Sequence, residues 1–265
     1  MRWLRPPGAS GRAVSPEVSN PPVTRALVIA GHGSQLSGNS SDPIWSSAAS
    51  IRETGAFDDV RAAFWKEEPS LSRVLDGCEA TEVTVVPFFI SAGYFTRTVL
   101  PREMRLDGPL TIRDGMRIRY TRPVGSHPAL ADVIVERARE AGATANDAVA
   151  ILGHGTRRDS ESEKNVYRLT ALVRERDLFA EVETVFLDQD PNMLSMLDIL
   201  HAPVVVVVPL FVAEGWHVGE TIPEDLALDG PETRRAGRIV RYAPPAGTHP
   251  RMASVILEIA REVEA

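Results

Sequence analysis

The sequence contains one pattern twice, and the two copies are displaced by a constant 122 positions. The segment ALVIAGHGSQ at 26–35 returns as AVAILGHGTRR at 148–158, so His32 in the first copy corresponds to His154 in the second. The same displacement relates the segments GSHP and GTHP further along each copy. Solenoid repeats have periods of only about 20–50 residues, so copies of this length are typical of duplicated domains. The chain is therefore expected to fold as two similar lobes.

We place the first lobe at 24–143 and the second at 144–265, because a run of small residues near 141–145 separates the copies. Residues 1–23 precede the first copy and contain five prolines but no continuous apolar stretch. That composition predicts a disordered leader rather than a signal peptide.

The charge balance limits the classes of ligand that the chain can bind. It has 36 acidic residues against 29 Lys and Arg, and its net charge of −7 argues against general affinity for nucleic acid or an anionic membrane. Cys78 is the single cysteine, so the sequence predicts no disulfide within the chain, no thiolate metal site and a cytoplasmic location. The longest apolar run, 202–213, is too short to span a bilayer. Metal ligands would therefore be histidines or carboxylates.

Each copy alternates strands with helical segments. The Val-rich runs are continuous rather than alternating, which indicates strands that are covered on both faces and hence a parallel sheet between helices. We predict two tandem three-layer α/β/α lobes, each with a mainly parallel four-stranded sheet, facing each other across a cleft. In the second copy the predicted strands are 148–152, 182–187, 204–208 and 238–242, and the predicted helices are 159–175, 191–201, one from about 216 and one from 250.

Three polar residues of the second copy are predicted to meet at the carboxyl ends of the strands, where open parallel sheets bind ligands. His154 ends the first strand, and His217 and Glu220 lie three apart at the start of a predicted helix, on one face of it. Two imidazoles and a carboxylate suit a divalent first-row metal, and the carboxylate could accept a proton. A purely structural histidine in a tight Gly-His-Gly turn is the alternative at this point. The first copy has Phe95 and Thr98 at the two later positions, so the full set occurs once.

The pairing of VIAGHGS and AILGHGT with VVPFFISAGYFTRTVLP and VVVPLFVAEGWHVGETIP resembles the sirohydrochlorin chelatases of cobalamin and siroheme synthesis, in the long two-copy CbiX/SirB form. The resemblance covers nearly all of the chain after residue 23. It implies a chelatase fold and ATP-independent insertion of Co²⁺ or Fe²⁺, and in relatives Ni²⁺, into an acidic tetrapyrrole. The metal is then a substrate, and no permanently bound cofactor is expected.

The resemblance also implies roles for individual residues. His154 and His217 match the two family histidines and would present the metal, with Glu220 and Glu214 assisting proton removal. Long-form members carry the complete histidine pair in the amino-terminal copy, whereas this chain has Phe95 there, so a partial site at His32 is the alternative. Residues near the crevice would contact the substrate carboxylates and the macrocycle: Arg97, Arg157, Arg158 and Phe95. For each arginine the alternative is a solvated surface charge, and for Phe95 it is simple packing.

Other functions fit the residues less well. A dinucleotide-binding enzyme is disfavoured because Leu36 and Arg158 stand where G-x-G-x-x-G has its third small residue. A phosphohistidine phosphatase or mutase would need an arginine where both turns have glycine. The remaining alternative is a metal or tetrapyrrole carrier that binds without accelerating insertion, although Glu220 as a placed base favours the enzyme. Two fused lobes are compatible with a monomer or a homodimer.

Overall fold

The computed structural model describes residues 24–34, 40–155 and 160–264, so the predicted leader at 1–23 lies outside the described residues. Two five-stranded sheets form within this part of the chain, one from each sequence copy. The first sheet contains β1 (Arg25–Gly31), β2 (Asp59–Phe64), β3 (Glu82–Pro87), β4 (Leu110–Arg113) and β5 (Met116–Tyr120). The second contains β6 (Ala148–Gly153), β7 (Glu181–Phe186), β8 (Val204–Pro209), β9 (Glu232–Arg235) and β10 (Arg238–Tyr242).

The two sheets have the same topology. Their strand orders are β2-β1-β3-β5-β4 and β7-β6-β8-β10-β9, and the first four strands of each order are parallel. The predicted four-stranded parallel sheets are thus confirmed, but each has a fifth strand that pairs antiparallel at one edge. A two-residue turn, Asp114-Gly115 in the first copy, joins the added strand, and both residues have positive φ as a type I′ hairpin turn requires.

Seven α-helices accompany the sheets in the described part of the chain. They are α1 (Asp42–Thr54), α2 (Leu100–Met104), α3 (Leu130–Glu140), α4 (Ser160–Arg174), α5 (Met196–Ile199), α6 (Ile222–Asp225) and α7 (Met252–Glu264). The four long helices, α1, α3, α4 and α7, lie between the sheets, and their apolar faces share one core with both inner sheet faces. The short helices cover the outer faces. No described helix has the length and apolarity needed to cross a membrane.

The last helix of each sequence copy packs on the sheet of the other copy. Helix α3 lies against β8 and α4, whereas α7 lies against β3 and α1. Ion pairs tie each exchanged helix to its new lobe: Arg25 at the start of β1 pairs with Glu264 on α7, and Arg176, just after α4, pairs with Asp132 on α3. Each sheet therefore needs a helix from the other half of the sequence to complete its inner layer.

The segment after β8, predicted to be α-helical from about 216, begins as a π-helix at His217–Thr221 and continues as α6. The first copy repeats this feature at Phe95–Val99 before α2. In each, a proline follows two residues after the π-helix, Pro101 or Pro223. A proline ring collides with the carbonyl four residues earlier in a continuous α-helix, and the wider π turn moves that carbonyl away.

Candidate active site

The Gly-His-Gly turns project both equivalent histidines from the carboxyl ends of the central strands. Gly155 has φ of 79°, a left-handed conformation in which a side chain would be strained. A hydrogen bond from the segment after β7 fixes the backbone of His154, because the Asp188 N–H donates to the His154 carbonyl at 3.0 Å. The backbone of the turn is thus held by the glycine conformation and by this hydrogen bond, neither of which involves the imidazole.

His154 and His217 face each other at the opening of the second lobe. Their ring centroids lie 5.0 Å apart and the ring planes are nearly perpendicular, at 88°. The His154 side chain is 46% exposed, and His217 is also exposed. His154 follows β6 and His217 opens the π-helix after β8, so two adjacent parallel strands bring the pair together.

The Nδ1 atom of His154 has two acceptors around it, the Gly155 carbonyl at 2.9 Å and Asp188 Oδ2 at 3.3 Å. This arrangement assigns the proton of the neutral ring to Nδ1 and leaves the lone pair on Nε2, where a metal could bind. Sequence reasoning missed Asp188. The repeat carried a signal for it, because position 66 of the first copy is Lys66 and the acid therefore appears only beside the complete histidine pair.

Glu220 does not join the two histidines. The prediction that it shares a face with His217 assumed an α-helix, but a π turn contains more residues, so side chains three apart diverge further around the axis. Within residues 24–34, 40–155 and 160–264, no three His, Cys, Asp or Glu side chains converge as a metal-binding group. Glu220 is exposed in the same π-helix as His217.

The first lobe has an aromatic cluster where the second has its histidine pair. The His32 ring lies 4.9 Å from the Phe95 ring and 5.3 Å from the Trp65 ring, both edge-to-face. Phe95 also stacks on Phe89, with centroids 5.9 Å apart, so it serves in packing within this cluster. Lys66 covers Trp65 at 3.6 Å from the ring centroid. His32 keeps the Nδ1 contact to the next glycine carbonyl, at 2.7 Å, but has an aromatic ring in place of a second imidazole.

A cavity of about 240 Å³ lies between the lobes and is predominantly apolar. The first lobe contributes His32 and Phe88, and the second contributes Phe211, Trp216 and His217. Trp216 is 69% exposed and was not anticipated as a cleft residue. Both lobes therefore open onto one cleft, as predicted.

The remaining predicted residues lie at the edges of this cleft or outside the described chain. Glu214 is absent from the cavity lining although both of its neighbours line it, and it faces a separate depression with Asp42 and Thr248. Arg97 lies 3.9 Å from Glu161 of the other lobe. Arg157 and Arg158 fall outside the described residues.

Half-buried tyrosines hold both π-helices. The Tyr242 hydroxyl donates to the Val218 carbonyl at 3.0 Å, and Tyr120 donates to the Thr96 carbonyl at 2.6 Å. Burial raises the pKa of both tyrosines, and the charge of Glu214 raises that of Tyr242 further. Both hydroxyls therefore remain protonated donors at neutral pH. In the second lobe, this bond fixes the turn that carries His217.

Comparison with known proteins agrees with the duplication. The family model described as CbiX matches residues 26–141 and again residues 148–263. A Halobacterium salinarum protein named probable sirohydrochlorin cobaltochelatase is 42% identical over 271 residues, which cover 91% of this chain and 92% of that protein.

Solved structures show the same fold. A multi-domain Deinococcus radiodurans protein, described as similar to chelatases with two additional domains, is 31% identical with a TM-score of 0.80. The match covers 91% of this chain but 55% of that one, so this chain spans about half of its length. SirB from Bacillus subtilis with Fe³⁺ has a TM-score of 0.73 at 20% identity, covering 92% and 96% of the two chains.

Proposed function

The chain belongs to the CbiX family, and from that premise we propose that it inserts a divalent metal ion into sirohydrochlorin or a closely related acidic tetrapyrrole, without ATP. The proposed metal substrates are Co²⁺ and Fe²⁺, with Ni²⁺ as a further candidate. The name of the Halobacterium salinarum relative supports cobalt. Imidazole ligands accept all three ions, so the ligand chemistry does not choose among them.

The observation that carries the proposal is the exposed pair His154 and His217, 5.0 Å apart between ring centroids, of which His217 lines the interlobe cavity. Two neutral imidazoles hold a divalent ion loosely enough to release it to a macrocycle with four nitrogens. The Nδ1 atom of His154 lies 2.9 Å from the Gly155 carbonyl and 3.3 Å from Asp188, so Nε2 is oriented by contacts on the far side of the ring.

Insertion exchanges one metal ion for two pyrrole protons, so the site needs proton acceptors as well as ligands. Once a histidine has released the metal, its Nε2 lone pair can accept one proton. We assign the relay of protons to solvent to the exposed carboxylate of Glu220, which is in the same π-helix as His217. Glu214, at the edge of the cleft, is a further proton acceptor in this proposal.

The test is metal insertion by the purified protein with sirohydrochlorin and Co²⁺, Fe²⁺ or Ni²⁺, followed by absorbance against a protein-free control. The unaltered protein is expected to exceed the spontaneous rate. His154→Ala and His217→Ala are each expected to reduce that rate by at least about a hundredfold, because each removes a ligand and a proton acceptor.

The matched control is His32→Ala, which makes the same change at the corresponding position of the first lobe and is expected to keep most of the activity. Loss of activity in His32→Ala alone would move the catalytic role to the first lobe. Tight binding of metal and tetrapyrrole with no acceleration of insertion would replace the enzyme by a carrier.

A further inference from the structure

The interlobe cavity, about 240 Å³, is smaller than the roughly 300–1,000 Å³ of typical small-molecule sites. A tetrapyrrole bound there must extend beyond the cavity, and its carboxylate side chains, which are on its periphery, would reach the edges of the cleft. The residues at these edges are therefore the ones that such carboxylates would contact.

Two depressions of about 210 Å³ lie where a helix of one lobe meets the loops of the other. One, here called the basic edge, is lined by Ala92, Ser126, Glu161, Lys164, Asn165 and Arg168. The other, the acidic edge, is lined by Asp42, Pro43, Ser46, Glu214 and Thr248. The 122-residue displacement relates the two sets, so they are equivalent places in the duplicated fold.

The duplication preserves the shape of these edges but inverts their charge. Asp42 of the acidic edge corresponds to Lys164 of the basic edge, and Ser46 corresponds to Arg168. Glu214 of the acidic edge corresponds to the neutral Ala92. Each of these three differences makes the basic edge more positive than its counterpart, and only Glu161, which corresponds to Asn39 in the sequence, acts in the opposite direction.

Arg168 is a cation without a carboxylate partner in the described part of the chain. Its Nη2 atom donates to the Ser126 carbonyl and to the Asn165 side-chain oxygen, both at 2.9 Å and both neutral. Desolvation, and then the nearby charge of Arg122, lower the pKa of Arg168. An anion that approached this guanidinium would therefore supply the opposite charge that its partly desolvated surroundings lack.

Contacts connect the basic edge to His32, the histidine of the first lobe. Phe95, which touches His32, is in the same π-helix as Arg97, and Arg97 lies 3.9 Å from Glu161 of the edge. Glu161 in turn pairs with Lys164 at 2.9 Å. The Lys164 side chain is 68% exposed, so its ammonium can leave Glu161 for a ligand carboxylate at little cost.

We propose that the basic edge is a carboxylate-binding subsite, in which Lys164 and Arg168 hold peripheral carboxylates of the macrocycle while the acidic edge stays clear of them. The inference rests on the proposed function for the identity of its ligand. It gives the macrocycle one preferred orientation in a cleft that the duplication would otherwise make nearly symmetric.

The experiment measures the dissociation constant of metal-free sirohydrochlorin by fluorescence titration, so that it does not depend on insertion. Lys164→Gln is expected to raise the constant about threefold and Lys164→Asp about tenfold, because the first removes a charge and the second reverses it. At high salt the three proteins should agree within about twofold. Circular dichroism and the unfolding midpoint establish that the variants are folded.

The matched control is Asp42→Asn at the corresponding position of the acidic edge, for which the dissociation constant should stay the same or fall. Equal constants for the unaltered protein and both Lys164 variants would overturn the subsite even if metal insertion is fully active. Conversely, graded, salt-sensitive binding by a protein that does not accelerate insertion would support the subsite and overturn the enzyme.

Discussion

At the scale of single residues, two of the positions that differ between the lobes lie directly beside the equivalent histidines. The first lobe has Lys66 and Phe95 where the second has Asp188 and His217. Both lobes keep the Gly-His-Gly turn and the contact from Nδ1 to the following carbonyl. The turn thus orients one imidazole in each lobe, and the two changed positions decide whether that imidazole has a second nitrogen ligand and a carboxylate beside it.

Asp188→Asn should weaken Co²⁺ binding about tenfold, because a neutral amide polarises the His154 ring less than a carboxylate 3.3 Å from Nδ1 does. Isothermal titration calorimetry with Co²⁺ measures the change. Asp198→Asn, an equivalent substitution on α5, should leave the affinity as it was. Equal affinities in the Asp188 variant and the unaltered protein would mean that the carboxylate does not support the ligand.

The double variant Phe95→His with Lys66→Asp should gain a second metal site in the first lobe. Phe95 already lies 4.9 Å from His32, close to the 5.0 Å between the rings of the second lobe's pair. Equilibrium dialysis should show the bound Co²⁺ rising from about one to about two ions per chain. Phe95→His alone should bind the second ion more weakly, since the ammonium of Lys66 repels it. If the double variant still bound about one ion per chain, residues other than Phe95 and Lys66 would also prevent metal binding in the first lobe.

At the scale of elements, the sequence predicted the parallel strands well, because continuous Val-rich runs leave few other structures open. The predicted strand 204–208 lies within β8 (Val204–Pro209). The antiparallel edge strand of the second copy was missed because Ala236-Gly237 is a weaker hairpin signal than the Asp114-Gly115 of the first copy. The π-helices were missed because α and π turns share the same residue preferences, and the hydrogen-bond register appears only in the structure.

Tyr242→Phe should release the π-helix that carries His217. Loss of its hydrogen bond to the Val218 carbonyl should lower the free energy of unfolding by about 1 kcal/mol and also reduce Co²⁺ affinity, since His217 is one residue away. Tyr120→Phe is the matched control, because it removes the equivalent bond to Thr96 in a lobe without the second ligand. It should show a similar stability loss in urea titrations but unchanged Co²⁺ affinity. Equal effects of both variants on metal binding would argue against local positioning of His217.

At the scale of the whole molecule, the exchange of α3 and α7 could not be predicted from the repeat. The two copies have the same length, and each ends in an amphipathic helix. The apolar face of that helix could be buried equally well on the sheet of its own copy or on the sheet of the other copy. The observed exchange joins the inner faces of both sheets into one apolar core. It also explains two buried histidines: His127 faces Glu262 of α7, and His249 faces Glu140 of α3, each pair joining one sequence copy to the other.

Glu262 should make the stability of the exchanged fold depend on pH. Burial acts to raise the pKa of Glu262, but the hydrogen bond from His127 and the charge of Arg122 together outweigh it, so the pKa is lowered. A carboxyl whose pKa is lower in the folded state stabilises the fold above its unfolded pKa of about 4.3, and this contribution is lost as the pH falls through the folded pKa.

Glu262→Gln should therefore lower the free energy of unfolding by about 0.5 kcal/mol near neutral pH, a small value because the side chain is 48% exposed. The difference in the free energy of unfolding between this variant and the unaltered protein should stay constant above about pH 5. It should shrink as the pH is lowered further, because Glu262 is then protonated and, like glutamine, uncharged. Urea titrations across this range measure it, with Glu53→Gln on α1 as the control for loss of one surface charge. A difference that persists unchanged at low pH would mean that Glu262 holds α7 by packing and not by its charge.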